Sequence, residues 1–169
     1  MKSATNRRRS PRAGGAGETA EKLANYLPGT QSPSAPAGDA VAGVLPDTCA
    51  WIDFLAGREA AVTRLLAVAL RESPVFTCGP VLAELLQGTR GDHDREVVLG
   101  VHRSLEYAET TAAVWVRAGD LASTLRREGI TVPLSDLLIA AIALELRLEI
   151  ITRDKHFGMI PGVRTREEA

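Results

Sequence analysis

The chain has 169 residues, 45% of them hydrophobic and 24% charged, which is material for one globular domain and too little for two of full size. Lys+Arg 20 against Asp+Glu 21 leave a formal net charge of -1, which excludes a protein that holds nucleic acid by bulk positive charge. Two cysteines, Cys49 and Cys78, with no CxxC pair argue against a zinc ribbon or a disulfide scaffold and fit a reducing cytoplasm.

The charge is unevenly spread. Residues 1–43 carry six basic and three acidic side chains, net +3, which leaves the rest with 14 basic and 18 acidic, net -4. The same stretch holds four prolines and six glycines with few bulky apolar side chains, so it cannot bury enough surface to offset the entropy of ordering it. It reads as a disordered basic Pro/Gly-rich extension, either a solvated tail or interaction arm, or a product of a start codon assigned upstream of Val41 or Val44. Arg7-Arg8-Arg9 is followed by Gly, Ser, Pro and charges where an export signal needs an apolar core. No later stretch approaches the about 18 uninterrupted apolar residues of a membrane span, because Glu145, Arg147 and Glu149 interrupt the best candidate. The expectation is a soluble, cytoplasmic domain over residues 44–169.

From Val44 onward, short apolar runs alternate with stretches of helical period. Val44-Leu45 reads as a strand ending at Asp47, with Pro46 in mild conflict because proline removes a ladder donor. Glu59 to Arg71 places Val62, Leu65, Leu66 and Ala69 on one helical face. Pro74 to Thr77 is a second strand, and Gly79-Pro80 opens a helix that Gly88 closes. Asp92 to Ser104 and Thr111 to Arg127 are two more helices, the second stopped by Gly129. Ser135 is the expected N-cap of a nearly all-apolar helix over Leu137 to Leu148, followed by a strand over Glu149 to Thr152 and a last short one near Val163. Strands separated by helices imply parallel pairing through right-handed crossovers, hence an α/β fold, a three-layer α/β/α sandwich with a central parallel sheet.

Four acids fall at one edge of such a sheet. Asp47 follows the first strand, Glu84 lies about one turn into the helix after the second, Asp136 opens a later helix, and Asp154 comes two residues after Thr152. Strand carboxyl ends and helix N-termini share the edge where open α/β sheets place their ligands. Gathered carboxylates raise one another's pKa and repel unless a cation joins them, and hard divalent ions such as Mg²⁺ or Mn²⁺ are the natural occupants. Each acid also has an ordinary reading: a helix-dipole partner for Asp136, a solvent-facing position for Glu84, a turn residue for Asp154. Asp47 is the hardest to explain as structure alone.

The segments Val44-Leu45-Pro46-Asp47-Thr48-Cys49-Ala50-Trp51-Ile52-Asp53-Phe54-Leu55, Val81-Leu82-Ala83-Glu84-Leu85-Leu86-Gln87-Gly88, Leu134-Ser135-Asp136-Leu137-Leu138-Ile139-Ala140-Ala141 and Ile151-Thr152-Arg153-Asp154-Lys155-His156-Phe157 together resemble a PIN domain, and more specifically the VapC-type toxins of bacterial toxin–antitoxin pairs. The resemblance covers Val44 to about Arg166; residues 1–43 have no counterpart in the usual short form. It implies that Asp47, Glu84, Asp136 and Asp154 are metal-binding and catalytic, with Asp47 and Asp136 the most direct ligands, and that Thr48 and Thr152 support them. It implies a Mg²⁺-dependent endoribonuclease, with Mn²⁺ a possible substitute, held in check by a VapB-type antitoxin and assembled as a homodimer. Cys49 stands where the family often has Ser or Asn.

RNA approaching an acidic cleft needs flanking cations, for which Arg153, Lys155, Arg90 and Arg95 are candidates. His93, His102 and His156 lack HxxxH-type spacing, which argues against a histidine-based metal site, and Trp51 and Trp115 are expected core anchors. Two other readings stand beside the nuclease. One is a Mg²⁺-dependent phosphatase, although Asp47-Thr48-Cys49 lacks the DxD pair of haloacid dehalogenase-like enzymes. The other is a non-catalytic PIN-like module binding RNA or protein, in which one or more acids would be missing.

Overall fold

Strand β1, Gly43–Pro46, is buried along its whole length. Successive side chains of a strand point to opposite faces, so burial at every position means that both faces of the sheet are covered. The computed structural model describes residues 41–166. β4 (Leu148–Ile151) pairs with β1 in parallel, Gly43 opposite Leu148 and Pro46 opposite Ile151, and β5 (Arg164–Thr165) pairs in parallel with β4. β2 (Phe76–Cys78) and β3 (Glu106–Ala108) form a second parallel pair. A parallel bridge between Val44 and Val75 joins the two sets, with the Val44 N–H donating to the Pro74 carbonyl at 2.9 Å. The resulting order is β3-β2-β1-β4-β5.

Pro46 sits comfortably in β1 because strand N–H groups alternate in direction. Val44 donates toward β2 and Asp47 toward the Ile151 carbonyl of β4, so the donor that Pro46 lacks would point to the β2 side, beyond the last bridge.

The helices are α1 (Thr48–Leu55), α2 (Ala61–Glu72), α3 (Gly79–Gln87), α4 (Asp92–Arg103), α5 (Ala112–Arg127) and α6 (Leu134–Leu146). A 3-10 turn spans Phe157–Met159. α1 and β3 were not expected. α1 starts directly after β1 because Asp47 caps it, its carboxylate accepting the Thr48 N–H at 2.7 Å.

The end of the chain departs from expectation in register. α6 begins at Leu134 with Pro133 at its N-cap, so Ser135 is inside the first turn and caps nothing; its hydroxyl lies 3.4 Å from Asp136 Oδ1 instead. α6 stops at Leu146, and Arg147 takes a left-handed conformation (φ 55) that reverses the chain and lets β4 start at Leu148. α6 is buried continuously from Leu137 to Ala143, against α5, α3 and β4. Trp51 is a core residue, 1% exposed, but Trp115 is 51% exposed on α5 and is no core anchor: Val114 and Ala118 take the inward face of that helix.

The extension expected over residues 1–43 lies almost wholly outside the described residues. Ala42 and Gly43, which are described, join the fold: the Ala42 N–H donates to the Arg147 carbonyl at 3.1 Å, and Gly43 is the first residue of β1. Among the described residues no helix is long and apolar enough to cross a membrane.

Candidate metal centre

Asp47, 6% exposed, stands at the carboxyl end of β1. Both of its oxygens are engaged: Oδ1 accepts the Thr48 N–H, and Oδ2 accepts the Thr152 hydroxyl at 3.0 Å. The residue hardest to explain as structure therefore has a structural duty as well, that of capping an unexpected helix. Glu84, in the second turn of α3, accepts the Thr48 hydroxyl at 2.7 Å through Oε2. The Thr48 hydroxyl thus orients the Glu84 carboxylate, and the Thr152 hydroxyl orients that of Asp47.

Asp136 occupies the first turn of α6 with 14% of its side chain exposed. Its carboxyl is pushed up to about 6, first by burial, then by the charges of Asp47, Asp154 and Glu84, with the Ser135 hydroxyl opposing the shift. Asp154 follows β4 in a tight loop: its N–H donates to Thr152 Oγ1 at 2.9 Å, and its Oδ1 accepts the His156 N–H at 2.9 Å. The other three acids thus all lie within electrostatic reach of Asp136.

Sequence reasoning missed a fifth residue. His156 brings Nδ1 to 3.0 Å from Asp154 Oδ1 and 3.7 Å from Asp136 Oδ2, and one ligand atom from each of the three lies within 4.8 Å of the others. Helical HxxxH spacing was the wrong test, since this imidazole arrives on a loop; the available signal was the Asp154-Lys155-His156 spacing itself. Nδ1 is buried and makes no hydrogen bond of good geometry among the described residues. The carboxylate oxygens suit a hard divalent cation of the Mg²⁺ or Mn²⁺ kind, whereas an imidazole nitrogen is a softer donor.

The cysteines do not add soft ligands. Burial raises the thiol pKa of Cys49, whose Sγ is 3.5 Å from Thr152 Oγ1, and burial pushes Cys78 up to about 11 with help from the nearby charges of Asp47 and Glu84. Both remain thiols at neutral pH. Of the expected cationic residues, Arg153 places Nε 3.4 Å from Oδ2 of the buried Asp53, and Arg95 lies 3.7 Å from Glu96. Lys155 and Arg90 are exposed.

The fold is a parallel α/β sheet with acidic side chains gathered near its carboxyl edge. The chain belongs to the PIN domain family, whose model matches residues 44–162, and its relatives are VapC-type members. Ribonuclease VapC21 of Mycobacterium tuberculosis is 30% identical over 107 residues, covering 61% of this chain and 77% of the relative. Ribonuclease VapC11 of the same organism is 28% identical over 130 residues, covering 75% and 97%. A toxin–antitoxin complex from Klebsiella pneumoniae has the same fold, with a TM-score of 0.61 and 24% identity over 75% of this chain and 100% of that one.

Proposed function

We propose that this chain is a Mg²⁺-dependent endoribonuclease, the toxin of a VapBC-type pair, hydrolysing RNA phosphodiesters in the cleft of Asp47, Glu84, Asp136 and Asp154. The observation that carries the reading is geometric: Thr48 links Glu84 and Thr152 links Asp47 by hydroxyl hydrogen bonds, and Asp136, Asp154 and His156 bring one ligand atom each within 4.8 Å of the others, with burial and then the charges of Asp47, Asp154 and Glu84 raising the pKa of Asp136. Such crowding is unfavourable to the bare protein and is relieved by a cation. The relatives' names support RNA as the substrate, and the Klebsiella pneumoniae complex supports an antitoxin as the partner.

In this reading Asp47 and Asp136 are the most direct ligands, Glu84 and Asp154 complete the acidic wall, and His156 offers a nitrogen donor. Thr48 and Thr152 hold Glu84 and Asp47 in fixed orientations, so the acids are preorganised before anything binds. When bound, the cation supplies an acidified water for attack on the phosphodiester and offsets the charge that grows on the phosphoryl oxygens. A cleft carboxylate accepts the proton of the attacking water. Lys155, Arg90 and Arg95 lower the repulsion between the RNA backbone and the acidic wall. The antitoxin blocks the cleft with basic side chains, and the toxin works as a homodimer in the cytoplasm.

The test is cleavage of labelled RNA by the purified chain with Mg²⁺, with EDTA, and by Asp47→Ala and Asp136→Ala variants. Cleavage by wild type with Mg²⁺ alone is expected. Equal cleavage by wild type and variants would trace the activity to a contaminant and sink the proposal, and binding of RNA without cleavage would favour the non-catalytic module.

A further inference from the structure

Asp53 lies in the second turn of α1, 1% exposed, with Oδ1 accepting a hydrogen bond from Arg58 at 2.7 Å and Oδ2 3.4 Å from Arg153 Nε. A carboxylate buried this deeply persists only when paired. Arg58, from the turn after the same helix, already supplies a partner and constrains nothing beyond α1 and that turn. Arg153 is a different kind of partner. It belongs to the segment after β4 and sits between Thr152, whose hydroxyl reaches Asp47, and Asp154, on the acidic wall. Asp47 caps α1 and Asp53 lies six residues later, about 9 Å along the helix axis. Residues 152–154 are therefore tied to one rigid helix at two separated points.

The geometry points to Asp53 as a positioning residue: through Arg153 it fixes the 152–154 segment against α1 and so sets the separation of the Asp154 and Asp47 carboxylates across the metal centre. The inference rests on the metal-dependent reading above and extends it to a carboxylate outside the acidic wall. Arg153, on this view, acts on the protein and not on the RNA backbone.

The experiment combines amide hydrogen exchange of the metal-free full chain with Mn²⁺ titration, on wild type, Arg153→Ala, Arg153→Lys, Asp53→Asn and the Arg153→Ala/Asp53→Asn double variant. Arg153→Ala should speed exchange at the Asp154 and His156 amides, both bonded within this loop, and weaken Mn²⁺ binding about 10- to 100-fold, the usual effect of losing a residue that orients a ligand. Arg153→Lys should recover part of both, and the double variant should be no worse than the poorer single one. Unchanged exchange in Arg153→Ala overturns the brace whether or not the protein binds metal. Unchanged Mn²⁺ affinity with a raised KM for RNA and an unaltered kcat also overturns it, by making Arg153 a phosphate contact. If wild type takes up no Mn²⁺ the metal reading falls, and the exchange rates alone decide the brace.

Discussion

The Thr152 hydroxyl donates to Asp47 Oδ2 at 3.0 Å and accepts the Asp154 N–H at 2.9 Å, so one oxygen sets the position of two acids from opposite ends of the sequence. A hydroxyl suits both duties because it donates and accepts at once. Thr152→Val keeps the shape and removes both bonds. We expect a loss of about 1–3 kcal/mol in urea unfolding, the range for hydrogen bonds to charged or buried groups. A change within about 0.5 kcal/mol, the scatter of neutral surface substitutions, would mean that neither bond orders the site.

Asp136 makes the pH dependence of the metal-free protein predictable in sign. Its carboxyl binds a proton more tightly folded, at about 6, than at its ordinary value of 3.8. Between those values the folded state holds more protons than the unfolded one, so this residue's contribution to stability is full below pH 3.8 and falls as pH rises to about 6. At pH 7.5 without metal, Asp136→Asn should therefore unfold at higher urea than wild type, by about 1–2 kcal/mol after allowance for solvent at the cleft mouth. The gap should close below pH 4 and reverse nowhere between. Wild type and variant running parallel from pH 4 to 7.5 would remove the charge crowding on which the metal reading rests.

The positions of the four acids in the fold are legible in the sequence because each stands next to punctuation: the end of an apolar run for Asp47 and Asp154, a Gly79-Pro80 helix start for Glu84, and Pro133 for Asp136. The pieces that were not legible had no pattern long enough to read. β3 is three residues, two of them exposed, and cannot display the two-residue alternation of a strand. α1 continues the apolar run of β1 with only Asp47 between them, so the boundary became visible only through the cap. Asp53 on a short helix resembles any solvated acid until Arg58 and Arg153 are seen converging on it, and His156 gains meaning only where the loop folds it back on Asp136. These are contacts between segments, which local pattern does not record.

Gly43 illustrates the same limit with a direct test. Its composition placed it with the extension, yet a Cβ there would meet the Pro74 carbonyl at 2.5 Å and Phe76 Cε2 at 2.9 Å. The first obstacle is backbone and cannot swing away, so β1 and the segment leading into β2 must part. Gly43→Ala should cost about 1–3 kcal/mol, as overpacking does in cores. An alanine variant as stable as wild type would show that β1 begins later than Gly43 in solution.

The two tryptophans should separate cleanly. Trp51, 1% exposed, packs edge-on to Phe54 at a centroid distance of 6.2 Å, whereas Trp115 is half exposed on α5. Trp51→Ala should cost about 3–5 kcal/mol and Trp115→Ala well under about 1 kcal/mol. Fluorescence gives an independent check, since Trp51→Phe leaves an emitter that acrylamide reaches and Trp115→Phe leaves one it does not. Equal quenching in the two variants would contradict the packing of α5.

Metal addition and removal should act on stability through the same carboxylates. A cation that binds only the folded chain stabilises it by RT ln(1 + [L]/Kd), about 2.7 kcal/mol at a hundredfold excess over Kd. The melting point of wild type should therefore climb with Mg²⁺ and return on adding EDTA. In Asp136→Asn the metal-free protein should start higher, because burial and the neighbouring charges no longer act on a carboxylate there, and as the loss of a proposed direct ligand the change should leave it little to gain from Mg²⁺. Adding Mg²⁺ should thus reverse the order of the two proteins. Parallel gains in wild type and variant would place the Mg²⁺ effect away from this cleft, and the absence of any gain in wild type would leave the four acids without the cation their arrangement calls for.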